Sequence, residues 1–136
     1  MANIRLIVLN YKRPNNVHTI INTYKKLLPI TVVNNNPNDP FPYLGNGVDV
    51  INNEKNWLCM ERWVRCFDYD EPYKLIIDDD LLPHPSLVKK MYDKNLFTLC
   101  YKHHKQLHTL YGQTYSNHLA PKIKNWLDIQ RMKNGR

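Results

Sequence analysis

Tyr73-Lys74-Leu75-Ile76-Ile77-Asp78-Asp79-Asp80 carries a short run of strand formers straight into three consecutive carboxylates. A strand covered on both faces reads as a nearly unbroken apolar run, so this segment is expected to be a buried strand that leaves the core at the acids. Working outward, similar runs occur at Ile4-Arg5-Leu6-Ile7-Val8-Leu9, Ile30-Thr31-Val32-Val33 and Val48-Asp49-Val50-Ile51. Leu96 to Tyr101 reads as a fifth strand.

Helical spacing separates these runs. Pro14 opens a segment in which Val17, Ile20, Ile21, Tyr24, Leu27 and Leu28 share one face, and Pro29 ends it. Trp57, Met60, Trp63, Val64 and Phe67 mark a second helix. Pro85 opens a third with Leu87, Val88, Met91 and Tyr92, and Ile123, Trp126 and Leu127 suggest another near the end of the sequence. The stretch from Asn34 to Gly47 is rich in Asn, Pro and Gly and reads as a loop. Strands alternating with helices predict an α/β fold, a mostly parallel sheet with flanking helices, in one domain over residues 1–136.

In a parallel sheet, ligands bind outside the carboxyl ends of the strands. Three polar clusters follow directly on predicted strand ends: Asn10-Tyr11-Lys12-Arg13, Asn34-Asn35-Asn36 and Asp78-Asp79-Asp80. A parallel sheet places all three on one rim. Strand alternation would point Asp78 and Asp80 to one side and Asp79 to the other. Three adjacent carboxylates repel one another, and a hard divalent cation such as Mn2+ or Mg2+ would relieve that repulsion and could bridge the phosphates of a nucleotide. The plainer alternative is a solvated acidic turn. No glycine lies between the first strand and the first helix, so neither a dinucleotide fingerprint nor a phosphate-cradling loop is present there.

The other candidates each have a bland counterpart. The asparagines can read a base or ribose, or serve ordinary turn chemistry. Arg13 and Arg62 can face a phosphate or form surface ion pairs. His103, His104, His108 and His118 match no metal-ligand spacing and suit a basic loop or a solvated segment. Tyr101, Tyr111 and Tyr115 with Lys102 and Lys105 loosely resemble a nucleic-acid stacking surface.

The chain has 136 residues, of which 43% are hydrophobic and 23% charged, enough for a core and a solvated surface. The net charge is +7 and permits an anionic partner without choosing one. Cys59, Cys66 and Cys100 form no Cys-x-x-Cys pair, which favours buried free thiols over zinc or disulfides. No apolar run approaches a membrane span, and the start lacks the pattern of a signal peptide, so a cytoplasmic protein with no membrane partner is expected.

The order strand-Asn10-Tyr11-Lys12-Arg13-Pro14, strand-Asn34-Asn35-Asn36, Asn56 to Arg62, then Leu75-Ile76-Ile77-Asp78-Asp79-Asp80-Leu81 resembles the GT-A glycosyltransferases, above all the exostosin-like group that transfers N-acetylhexosamine from UDP-sugars. It covers roughly residues 4 to 95, with a weaker echo in Leu99 to His104. The resemblance implies that Asn10, Tyr11 and Arg13 line a nucleotide pocket and that Asn34 and Asn35 approach the uridine. It implies that Asn56 and Arg62 lie near the nucleotide or diphosphate. Asp78 and Asp79 would approach ribose and sugar, and Asp80, with Asp78, would hold the metal. The acceptor half of that family has little counterpart here. The readings left open are a minimal transferase, a fragment, and a donor-binding subunit that needs a second copy or a partner chain. The acceptor and the catalytic base or nucleophile are not implied by any position. Outside the resemblance, two rivals remain: a metal-dependent nucleotidyl or phosphoryl transferase, and a non-enzymatic basic module binding nucleic acid.

Overall fold

The computed structural model describes residues 3–58, 60–94, 98–100 and 107–112. Four parallel strands form the body of the sheet: β1 (Ile4–Asn10), β2 (Ile30–Asn34), β3 (Val48–Asn52) and β4 (Tyr73–Asp78). The helices are α1 (Pro14–Tyr24), α2 (Glu61–Arg65, continued by a 3-10 turn over Cys66–Asp68) and α3 (Pro85–Asp93). Two further strands, β5 (Thr98–Cys100) and β6 (Leu107–Gly112), join antiparallel, giving the order β3-β2-β1-β4-β6-β5. The molecule is an α/β domain with a mostly parallel, Rossmann-like sheet.

Period-two alternation along β1 divides the core. Ile4, Leu6 and Val8 face α1 and α3, packing with Val17, Ile20, Tyr24, Val88 and Met91. Ile7 and Leu9 face the other way, with Val33, Cys66, Ile76, Trp63 and Phe67. Helices therefore cover both faces, as the unbroken apolar strands require.

Charged residues also enter the second face. Arg5 stacks 4.1 Å over the Tyr69 ring and pairs with Glu71 at 2.8 Å. That hydrogen bond holds the Glu71 carboxyl below its ordinary range. Lys74, 1% exposed, donates to the carbonyls of Tyr69 and Glu71, and burial depresses its pKa. Cys66 is a buried thiol pushed up to about 12 by desolvation, which makes it inert.

Several elements differ from the sequence reading. Helix α1 stops at Tyr24, so Leu28 is buried but Leu27 is 46% exposed. Helix α2 begins at Glu61 rather than near Trp57, because Leu58 takes a left-handed φ of 65° that no helix accommodates. Leu107–Gly112, where the sequence predicts no strand and places His108 in a basic loop or solvated segment, is strand β6, paired with β4 from Tyr73↔Gly112 to Ile76↔Thr109. The run is short and lies outside the strand–helix alternation of the rest, and its place in the sheet comes from pairing to β4. The fifth strand is present but shorter than Leu96 to Tyr101. The expected tail helix, Cys59, Tyr101, Lys102, His103, His104, Lys105, Tyr115 and His118 lie outside the described residues. Among the described residues no helix is long and apolar enough to cross a membrane.

Candidate functional site

Strands β2 and β3 lie on one side of β1 and strand β4 on the other, so the sheet reverses its winding between β1 and β4. Where winding reverses, the loops leaving neighbouring strands diverge and open a crevice at their carboxyl ends. A cavity of about 540 Å³ sits there, lined by Leu9, Tyr11, Lys12, Arg13, Arg62, Asp78, Asp79 and Asp80.

Asp79 holds this crevice in shape. Its side chain is 8% exposed. Oδ2 accepts from the Tyr11 backbone N–H at 2.7 Å, and Oδ1 accepts from Arg13 Nη1 at 3.0 Å. Both carboxylate oxygens are thus committed to the loop between β1 and α1. That loop needs the restraint, because Lys12 has a φ of 64°, a left-handed backbone that costs a non-glycine residue about 1 kcal/mol. Lys12 occupies the kind of position that nucleotide-binding folds give to glycine. Its ammonium lies 5.1 Å from the Tyr11 ring centroid, and Tyr11 is 41% exposed.

The other two acids meet the cations differently. Asp78 pairs with Arg62, which reaches across from α2. Asp80 lies 3.8 Å from Arg13 Nη1. The hydrogen bond and charge of Asp79 raise the Arg13 pKa further, so this guanidinium stays charged. Two guanidiniums therefore relieve the repulsion among the three carboxylates. Strand alternation fails past Asp78: β4 ends there, and the Leu81 N–H bonds the Asp78 carbonyl at 3.2 Å, making Asp79 and Asp80 a turn. Asp79 and Asp80 consequently both approach Arg13, instead of pointing to opposite sides. The Tyr24 hydroxyl donates to the Pro83 carbonyl at 2.5 Å and ties α1 to the chain just beyond this turn.

The asparagines occupy the same rim but do not line the cavity. Asn10, Asn34 and Asn52 stand opposite one another in register. Asn10 Nδ2 donates to Asn34 Oδ1 at 2.9 Å, and Asn34 Nδ2 donates to Asn52 Oδ1 at 2.9 Å and to the Asp39 carbonyl at 2.9 Å. Asn52 closes the row on both backbone groups of Phe41. On the opposite face Asn53 donates to Asn35 at 2.8 Å, and Asn35 donates to the Leu58 carbonyl at 3.0 Å. Asn10, Asn34 and Asn35 are all buried. Asn56 caps the Leu58 N–H within the loop after β3.

Of the residues singled out in the sequence, the cavity gathers Tyr11, Arg13, Arg62, Asp78, Asp79 and Asp80, while Asn10, Asn34, Asn35 and Asn56 are used within the chain. Lys12 was not singled out. Its signal was a lysine in a strand-to-helix turn that lacks glycine.

Among the described residues no three His, Cys, Asp or Glu side chains converge into a closed metal cage. Asp78 and Asp80 border one cavity, however. Two carboxylates suit a cation that takes its remaining oxygens from substrate phosphates and water, and Asp79 is too fully engaged to join them. Compared with known proteins, the chain matches no family model and no curated sequence.

Proposed function

We propose that the crevice between β1 and β4 binds the diphosphate of a nucleotide-sugar, a UDP-sugar in the first instance, and that the chain is a metal-dependent glycosyltransferase of the GT-A type. One observation carries the reading: three cationic and three acidic side chains meet in a single cavity at the point where the sheet reverses its winding. A metal–diphosphate carries both signs of charge and so matches both sets of groups.

In this reading Lys12, Arg13 and Arg62 face the phosphate oxygens, and the exposed Tyr11 ring offers a stacking surface for the base or sugar. Asp78 and Asp80 would hold Mn2+ or Mg2+, whose chemistry is to stabilise negative charge on the departing diphosphate. Asp79 is a positioning residue, since it fixes the backbone of the loop that presents Tyr11 and Arg13. Transfer breaks the bond between the anomeric carbon and the phosphate oxygen. That oxygen keeps the electron pair beside the two guanidiniums, while an acceptor hydroxyl bonds the anomeric carbon and its proton passes to solvent water.

Calorimetric titration of UDP in Mn2+ and again in EDTA tests this. Binding that requires the metal is expected. No binding in either buffer overturns it, and cleavage of a nucleoside triphosphate to pyrophosphate would instead identify a nucleotidyl transferase.

A further inference from the structure

A second cavity, of about 460 Å³, lies away from the rim, between the outer side of α1 and the loop that enters β3. The Gly47 carbonyl accepts from the Ile30 N–H at 3.0 Å, which places this loop at the amino ends of β2 and β3, opposite the crevice. His18 and Asn22 sit at i and i+4 on α1, and Lys25 at i+7 caps the helix end in helical backbone geometry, so the three form one polar stripe, with Lys26 next to it.

Three features shape the cavity chemically. The His18 ring stacks on Phe41 with centroids 4.7 Å apart, which fixes its orientation. The Asn22 side-chain oxygen accepts from Lys25 at 3.2 Å, which turns the amide's acceptor away from a ligand. Ile21 on α1 and Leu44 and Val48 across from it add apolar surface beside Gly45 and Asn46, and none of the lining residues is a carboxylate. The loop keeps its form through Gly45, Asn46 and Gly47, all at positive φ, with the Val48 N–H bonded to the Gly45 carbonyl at 3.1 Å.

We infer that this cavity binds a small organic anion, a phosphomonoester with an apolar arm, whose oxyanion meets Lys25, Lys26 and His18 while the arm lies on Leu44 and Ile21. The cationic side chains suit a ligand that only accepts, and the apolar surface beside them separates such a ligand from inorganic phosphate. The site is independent of the crevice and of the reaction proposed for it.

The test is a titration of the full chain with phenyl phosphate, followed by amide chemical shifts, with inorganic phosphate and phenol as controls. Saturable shifts are expected at Ile21, Gly45 and Asn46, with phenyl phosphate the tightest of the three probes. Lys25 and Lys26 are exposed, so the Lys25→Gln/Lys26→Gln variant should keep the fold and bind about tenfold more weakly. The inference is overturned by shifts confined to Tyr11, Lys12 and Arg13, by unchanged affinity in the double variant, or by phenol binding as well as phenyl phosphate.

Discussion

The asparagine row and the acidic turn occupy the same rim of the same sheet, yet they play opposite parts. Asn10, Asn34 and Asn52 stand opposite one another in register, so each amide finds its partner on the next strand, with Asn10 and Asn34 buried and Asn52 partly so. Asp78 stands opposite Leu9, which offers it nothing to bond. Its carboxylate turns to Arg62 and stays at the cavity wall, 39% exposed. Polar residues after a buried strand thus become structure where the register supplies a partner, and remain available to a ligand where it does not.

This contrast can be broken by substitution. The largest effect is expected for Asn34→Ala, which removes from a fully buried position the group bonded to Asn10 Nδ2, to Asn52 Oδ1 and to the Asp39 carbonyl. A loss of about 3 kcal/mol in urea unfolding follows, from several lost hydrogen bonds with their desolvated remnants. A loss below about 1 kcal/mol would show that the row is not structural. Asp79→Ala comes next. It frees the Tyr11 N–H and Arg13 and releases the strained Lys12 backbone, at about 2 kcal/mol of stability, and weakens nucleotide binding as the loop moves.

A smaller effect sharpens the comparison away from the rim. The Glu71 pKa is lowered by its hydrogen bond to Arg5, so its contribution is present above the ordinary carboxylate value and is lost as pH falls through the folded value. Glu71→Gln should cost about 1 kcal/mol at neutral pH and flatten the acid limb of the stability profile. An unchanged acid limb would remove Glu71 from the account. The smallest effect on stability, about 0.5 kcal/mol or less, is expected for Asp80→Ala, since Asp80 is exposed on a turn.

Much of the fold is legible in the sequence, because buried parallel strands write themselves as apolar runs and helices as 3.6-residue stripes. The four parallel strands, α3 and the start of α1 fall where those signals put them. Register is not legible: nothing local in Asn34-Asn35-Asn36 says that Asn10 and Asn52 will lie beside it, because that depends on which strands pair. The start of α2 depends on one backbone angle at Leu58, and β6 on pairing with β4. For the site, the acidic triplet and Arg13 were visible as strand-end residues. The division of labour within the triplet was not, since it arises from the turn after Asp78 and from cations delivered by α1's loop and α2.

The most direct test of this division is to measure UDP affinity with Mn2+ and the urea midpoint on the same two variants, Asp80→Ala and Asn35→Ala. The account predicts that Asp80→Ala unfolds like the parent chain but loses metal-dependent UDP binding, while Asn35→Ala is destabilised and, at temperatures where it is folded, still binds. UDP affinity unchanged in Asp80→Ala would contradict it.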